Sequence, residues 1–298
     1  MEIMLLALPK NRVLCGLLFM AIALMGPGCR GTGLDLKDVP GLLSKKLEVL
    51  SRMRIDLLKS VAAEKSAVMA DTDEASQTFA DQALQAAQRV EQGRREMQGL
   101  VDRDHTDAEL KLLQEFDGAW AEFVKIDRET LDFAVQNTNL KAARLSFGPG
   151  AEAMQLLEKT INRLASRQPQ FAGATCRILT GGWKILYLHA PHVAAAEDNR
   201  MDEIEAAIRR QRAEMAGSLQ TLRSRIPPEK QADLAEAEEA FDELQKVTAR
   251  VIELSRKNTN IKSFEISLGR KRKISARCDE LLTALQETVR GREFKATR

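Results

Sequence analysis

Two histidines lie three residues apart in the segment HAPH, at His189 and His192, and their type is the one most suited to holding a metal ion. On a helix this spacing places both rings on one face, where they could share a ligand. The spacing of the HExxH motif is absent, however, and the sequence offers no obvious third ligand. We therefore interpret both as exposed or packed side chains and predict neither a metal nor a cofactor.

Other polar residues give equally little sign of catalysis. The segment FGPG, which begins at Phe147, lacks the following Lys-Ser/Thr and the preceding strand of a phosphate-binding loop. Arg54 and Glu64 fall on the apolar stripe of the first predicted helix. They are the best candidates for polar groups that could contact a ligand. A structural ion pair or simple exposure is the alternative for each. The sequence predicts a protein that is not an enzyme.

The N-terminal segment has the features of a signal peptide. Lys10 and Arg12 precede the apolar run VLCGLLFMAIALM, which is short for a membrane span but suits a signal-peptide core. The run ends in GPGC, and small residues before Cys29 resemble a bacterial lipobox. We predict a signal peptide over residues 1–28, lipid attachment at Cys29 and a tether over 29–41. Ordinary cleavage or a retained anchor is the alternative. We expect an extracytoplasmic, periplasmic protein that is tethered to a membrane by its lipid or by a retained signal anchor.

Composition predicts an all-α fold. The 298 residues are 44% hydrophobic and 30% charged, with only 4% aromatic residues, and long stretches are rich in Ala, Leu, Glu, Gln, Lys and Arg. The net charge of +2 arises from acidic and basic residues that are interspersed, which argues against a nucleic-acid partner. One basic cluster at residues 270–273 is interpreted as cations near a helix C-terminus, with contact to anionic lipid as the alternative.

A phrase of twelve residues occurs twice. NTNLKAARLSFG begins at Asn137 and NTNIKSFEISLG begins at Asn258, with six identical positions. Asn137 and Asn139, like Asn258 and Asn260, are predicted to form a turn and helix N-cap. The glycines and proline of FGPG predict a kink in the first copy, whereas LGRKR should run straighter in the second. The repetition indicates a duplicated structural unit.

Periodicity and capping signals predict eight helices, which we place approximately at residues 42–70, 73–101, 107–136, 139–166, 175–197, 202–225, 228–257 and 259–292. Because short connections make consecutive helices antiparallel, each half is predicted to be an up-down-up-down four-helix bundle. The first bundle spans 42–168 and the second 174–292, followed by a basic tail at 293–298. The short linker favours bundles that lie side by side. Cys176 and Cys278 would then lie at similar heights, so a disulfide and two buried free thiols both remain open.

Two stretches resemble the four-helix-bundle sensor domain of methyl-accepting chemotaxis receptors. They are RMRIDLLKSVAAEKSAVMADTDE, which contains the Glu64-Lys65 pair, and EFDGAWAEFVKIDRETLDFAVQNTNLKAARLSFGPGAEAMQLLEKTINRL, which contains Trp120 and the helix-four phrase. The resemblance covers 42–168 well and 174–292 less well. It implies a domain that binds a small molecule or an envelope protein and passes a helix displacement across the membrane.

The sequence departs from that family after the second bundle. We find neither a second apolar span nor the methylation hairpin, and therefore expect a sensor-like module that needs a transmitter protein in trans. The alternative is a structural or scaffolding lipoprotein of the envelope that has no small-molecule ligand. A polar pocket would favour the sensor, and a dry core with featureless faces would favour the scaffold.

Overall fold

The computed structural model describes residues 39–104, 106–166 and 168–296, and within these ranges the chain forms helices and no β-strand. The prediction of an all-α fold is confirmed. The signal peptide, Cys29, most of the tether, His105 and the last two residues of the tail lie outside the described residues. The helices are α1 Val39–Met69, α2 Asp73–Asp104, α3 Asp107–Ala134, α4 Thr138–Leu145, α5 Ala151–Ala165, α6 Ala172–Ala194, α7 Asp198–Arg223, α8 Gln231–Lys257, α9 Thr259–Ile266 and α10 Arg272–Ala296.

Two π-helical segments interrupt otherwise continuous helices. The first, Ser146–Gly150, joins α4 to α5, and the second, Ser267–Lys271, joins α9 to α10. The break predicted at the FGPG glycines is present, but the second copy is not more regular, because its π segment lies at the equivalent position. Pro149 occurs only in the first copy and therefore is not the shared cause. Both segments begin with a buried serine that lies beside a layer of buried polar groups.

Helices α1, α2, α3 and α10 enclose one hydrophobic core, which we call bundle 1. Leu50, Met97, Phe123 and Leu282 are fully buried there, one from each helix. Burying a large apolar side chain contributes about 1.5–3 kcal/mol relative to exposure, so this core is the main stabilising feature of the bundle. The apolar stripe predicted for the first helix is the face of α1 that lies in this core.

Helices α5, α6, α7 and α8 enclose the second core, which we call bundle 2. Leu157, Ile178, Met215 and Leu244 are fully buried in it. Two glycines of α6 allow close packing, because a Cβ at Gly182 would lie 2.4 Å from the sulfur of Met154.

The helices are not partitioned as the sequence suggested. Helix α10 comes from the second half of the chain and packs in bundle 1, whereas α5 comes from the first half and packs in bundle 2. Two bundles that are each closed by consecutive helices, at 42–168 and 174–292, are therefore not confirmed. The prediction assumed that the chain reverses at Asn137 and Asn258. Instead the chain crosses from one bundle into the other at both points.

We use the name first long helix for residues 107–165 and second long helix for residues 231–296. They run antiparallel, because α8 packs along α4 and α5 while α9 and α10 pack along α3. The turn after α1 and the turn after α6 both lie at the crossing, where Asn137 donates to Thr72 and Asn258 donates to Ala195. The bundles therefore meet end to end, not side by side. With 28 residues in α3, each bundle is about 40 Å long.

The exchange of helices also separates the two described cysteines. Cys278 is buried in bundle 1 and Cys176 is exposed on α6 of bundle 2, and among the described residues both are free thiols. The open possibility of a disulfide is not realised, because α10 carries Cys278 into the opposite bundle. No helix within the described ranges is long and apolar enough to cross a membrane.

Candidate functional site

The crossover consists of residues 137–139 and 258–260, where the two long helices pass each other. Asn137 and Asn258 have φ angles of 50° and 55°, and in the described part of the chain they are the non-glycine residues with positive φ. Asparagine tolerates this left-handed conformation better than most residues. Each asparagine therefore ends one helix and lets the next begin without reversing the chain.

The first residues of α4 and α9 cap each other. The backbone N–H of Thr138 donates to the Thr259 hydroxyl oxygen at 3.1 Å, and the N–H of Thr259 donates to the Thr138 hydroxyl oxygen at 3.2 Å. The N–H groups of Asn139 and Asn260 donate to each other's side-chain oxygens at 3.1 and 3.2 Å. Helix starts leave such N–H groups without intrahelical partners. Of the four predicted capping residues, Asn139 and Asn260 do cap a helix start, but each caps the other long helix.

Side-chain amides complete the junction. The oxygen of Asn137 accepts from the Asn260 amide at 3.0 Å, and the oxygen of Asn258 accepts from the Asn139 amide at 2.8 Å. Thr138 and Thr259, like Asn139 and Asn260, lie 121 residues apart, which is the spacing of the repeated phrase. Both copies of the repeated phrase therefore form the junction together, one from each long helix.

A charged layer lies in bundle 1 next to the crossover. The Lys271 ammonium forms a buried ion pair with Asp127 and lies 3.2 Å from the ring centroid of Phe123. Glu64 of α1 faces the same layer, and Ser267 of the second π segment lies beside it. All four polar side chains are at most 2% exposed. Moving charged groups into a protein interior is costly unless they are paired, so the layer is a costly feature of the fold.

Glu64 is incompletely satisfied in this layer. Neither carboxylate oxygen has a hydrogen-bond partner among the described residues, and the same holds for the hydroxyl of Ser60, one turn earlier on α1. Burial raises the pKa of Glu64. The Ser267 hydroxyl, which lies near the carboxylate without hydrogen-bond geometry, and the Lys271 ammonium oppose that shift. Glu64 was one of two candidate polar groups in the sequence, and the structure places it in the core.

The corresponding layer of bundle 2 is neutral. Nδ1 of His189 lies 2.9 Å from the Ser146 hydroxyl, and Nε2 lies 3.2 Å from the Thr248 hydroxyl. Because Thr248 donates its proton to the carbonyl of Leu244 at 2.7 Å, it accepts from His189, which fixes a proton on Nε2. Burial, with a contribution from nearby His192, lowers the pKa of His189 to about 4. His189 is therefore a neutral, packed histidine.

His192 belongs to a second polar group at the inner end of bundle 2. Its Nδ1 lies 2.8 Å from the Ser255 hydroxyl and its Nε2 lies 3.2 Å from Glu205. Burial lowers the pKa of His192, and Glu205 opposes this. Arg256 donates to Glu205 at 2.6 Å, so the carboxylate already has a cationic partner. The two histidines do not converge on a shared ligand, and the described residues contain no cluster suited to a metal ion.

The second candidate, Arg54, lies in a structural ion pair. Its guanidinium contacts Asp279 at 2.9 Å and donates to Gln286 at 3.1 Å, and both partners are on α10. Gln286 also donates to Ser51 at 2.8 Å. Arg54 therefore fixes the second long helix against α1, in agreement with the structural-pair alternative.

An ion network closes the outer end of bundle 1, where both ends of the described chain lie. Lys46 contacts Asp104 at 2.8 Å and Glu109 at 2.5 Å, and Arg292 contacts the same carboxylates at 2.9 and 2.5 Å. Lys46 and Glu109 are fully buried. The network holds the end of α10 beside the start of α1, so a tether before Val39 would anchor bundle 1 and leave bundle 2 farther away.

A narrow cleft of about 90 Å³ separates α7 from α8 in bundle 2. Ile185, Ile208 and Leu244 form its apolar walls, and Thr248 of the neutral layer lines it. The side-chain oxygen of Gln245, which also lines the cleft, is buried and has no partner among the described residues. At this volume the cleft is smaller than typical ligand pockets of about 300–1,000 Å³, and Thr248 connects it with the neutral layer.

Sequence reasoning missed Asp127 and Lys271. Lys271 lies in the basic cluster that was interpreted as cations near a helix C-terminus, yet its side chain is 1% exposed and packs in the core. The sequence did contain a signal: alignment of the two phrases, which we call the repeat register, pairs Lys271 with Gly150, a position inside the kink of the first copy.

Comparison of the chain with protein-family models, with curated proteins and with solved structures finds no match.

Proposed function

We propose that this chain is a non-enzymatic, sensor-like helical module, tethered to a membrane on the extracytoplasmic side. Binding of a small molecule or an envelope protein to one bundle would alter the other bundle. The observation that carries this proposal is that each long helix belongs to both bundles. A shift of a long helix in bundle 2 must therefore be accommodated in bundle 1, because packed cores rearrange between discrete states and do not deform freely.

The geometry agrees with signalling toward the tether. When the N-terminus is anchored, bundle 2 lies farther from the membrane than bundle 1. Its cleft supplies an entrance for a small ligand. The resemblance to chemotaxis-receptor sensor domains supports the same proposal. A transmitter protein in trans would receive the displacement at the outer end of bundle 1, where the ion network of Lys46 and Arg292 lies.

A ligand screen followed by hydrogen exchange tests the proposal. Amino acids, organic acids and aromatic compounds are screened by thermal shift, in which a ligand at a hundredfold excess over its Kd adds about 2.7 kcal/mol. For a binder, we expect changed amide exchange in bundle 1 as well as in bundle 2. Ala249→Phe, which fills the cleft, should abolish binding, whereas Ala235→Phe on an exposed face of α8 should not.

A scaffolding role is the second candidate, favoured by the filled apolar cores and by the small size of the cleft. It predicts that compounds and envelope proteins leave hydrogen exchange in bundle 1 unchanged. The tether is tested separately by mass spectrometry of the native N-terminus, which should begin at a diacylated Cys29. A native chain that retains residues 1–28 would contradict lipidation.

A further inference from the structure

We infer that the charged layer of bundle 1 determines which long helix enters which bundle. The junction residues do not make this choice, because residues 137–139 and 258–260 have the same types in the same order. In an uncrossed chain, α4 and α5 would complete bundle 1, and α9 and α10 would complete bundle 2. The difference between these two arrangements must come from positions where the two copies differ.

Lys271 is such a position. Alignment of the two copies of the phrase pairs it with Gly150, which is also buried and has no side chain. In bundle 1, Lys271 has an anionic partner in Asp127 and an aromatic ring below it in Phe123. The crossed arrangement therefore brings a cation to the layer that holds Asp127 and Glu64.

An uncrossed chain would lose every one of these contacts. At the positions of bundle 2 that correspond to Asp127 and Phe123, the repeat register places Thr248 and Leu244. Alignment of the end of α1 with the end of α6 places His189 at the position that corresponds to Glu64. Lys271 would then be buried in bundle 2 without the carboxylate and ring that surround it now. Gly150 would leave Asp127 and Glu64 in bundle 1 without a cation. Removing one partner of a buried ion pair is strongly destabilising, so both consequences disfavour the uncrossed chain.

Steric packing around Gly150 also favours the crossed arrangement. A Cβ at Gly150 would lie 3.2 Å from the Leu145 carbonyl oxygen and 3.2 Å from a Leu186 methyl carbon. Bundle 2 is thus packed closely around a residue without a side chain, whereas bundle 1 has room for a lysine. Lys271 acts as a positioning residue for the second long helix.

Cysteine pairs can report the arrangement. The Ser51 hydroxyl and the end of the Gln286 side chain are in hydrogen-bond contact at 2.8 Å. Because glutamine is longer than cysteine, Ser51→Cys with Gln286→Cys should be joined in the crossed chain by a short bifunctional thiol reagent and not by a direct disulfide. The register places Ala165 where Gln286 lies, so Ser51→Cys with Ala165→Cys should crosslink only in the uncrossed chain. Both pairs are built without the native thiols, as Cys176→Ser and Cys278→Ala, and intramolecular products are separated from dimers by gel electrophoresis.

The test combines these reporters with an uncharged variant of the charged layer in bundle 1, made by Glu64→Gln, Asp127→Asn and Lys271→Met. We call this variant the neutral-layer protein; it leaves the natural neutral layer of bundle 2 unchanged. With the natural layer, we expect the 51–286 pair to crosslink nearly completely and the 51–165 pair not at all. For the neutral-layer protein, we expect a folded helical chain in which both pairs crosslink in comparable yield. A purely structural role for Lys271 would change stability without changing this ratio.

Lys271→Met alone provides a second measurement, because it leaves both carboxylates without a cation in either arrangement. We expect it to lower the melting temperature and to produce 51–165 crosslinks in the fraction that folds. If the neutral-layer protein folds and crosslinks only through 51–286, the inference is wrong. The inference is also wrong if the neutral-layer protein fails to fold while Lys271→Met folds entirely crossed.

Discussion

Glutamine in place of Glu64 keeps the shape of the side chain and removes its charge. Burial raises the pKa of Glu64 above its ordinary value of 4.5. At pH values between 4.5 and the raised pKa, the folded protein therefore keeps a proton on Glu64 that the unfolded chain has released. Folding stability from this group is therefore greatest below pH 4.5 and falls as pH rises through the raised pKa. Glutamine cannot titrate and should remove this part of the pH dependence.

The magnitude follows from the burial and missing partners of the carboxylate. Glu64 is fully buried and its oxygens have no hydrogen-bond partner among the described residues. A glutamine amide would be as unsatisfied there as a neutral carboxyl group, at about 1–3 kcal/mol in each case, so the substitution removes only the additional cost of the charge, part of which Lys271 already offsets. We expect Glu64→Gln to raise the free energy of unfolding by about 2 kcal/mol at pH 8. Near pH 4.5 the change should be close to zero.

Urea unfolding, followed by circular dichroism between pH 4.5 and 8, measures the difference. A gain of about 2 kcal/mol corresponds to a rise in Tm of about 4–8 °C for a chain of 150–250 residues, and somewhat less here. Glu48→Gln is the matched control, since Glu48 lies on the same helix with its side chain 56% exposed. Its effect should stay within about 0.5 kcal/mol. Equal pH dependence in the natural and Glu64→Gln proteins would refute the reasoning.

Three further outcomes are expected. Asn139→Ala and Asn260→Ala should each destabilise by about 1–3 kcal/mol in urea unfolding, because each leaves an equivalent N–H without its acceptor. Asn139→Ala should cost more, since the Asn139 amide also donates to the Val193 carbonyl oxygen at 2.8 Å, and no measurable cost for Asn260→Ala would contradict the reciprocal junction. The ring of His189 should titrate near pH 4 by NMR and stay neutral at pH 6, whereas a midpoint near 6.5 would contradict its burial. Cys176 should react with a thiol reagent in the native protein, while Cys278, whose pKa burial raises to about 12, should react only after unfolding.

Helix positions and the junction could be predicted from local signals. Leu43, Leu50 and Leu57 recur every seven residues, which predicts the apolar face of α1. The segment ADTDEASQ, which begins at Ala70, predicts the cap of α2, where Thr72 accepts from the N–H of Ala75 at 3.1 Å. These features depend on residues that are neighbours along the chain. The repeated phrase likewise marked residues that have a shared role.

The candidate site was predicted only in part. Glu64 was noticed because it interrupts an apolar stripe, which is a local signal. Its partners Asp127 and Lys271 were not, because both lie in segments rich in charged residues that look solvated in isolation. The direction of the chain at Asn137 was also missed, since a single left-handed residue is compatible with either a reversal or a crossing.

The sequence by itself determined the helical class, most helix boundaries, the duplication and the residues of the junction. Tertiary structure alone decided that α5 and α10 are exchanged between the bundles. The physical reason is that helical periodicity marks the apolar face of α5 or α10 but does not mark which three helices that face packs against. Buried groups such as Lys271 and Asp127 distinguish the two arrangements, and the cost of an unpaired charge arises only when the side chains are enclosed together.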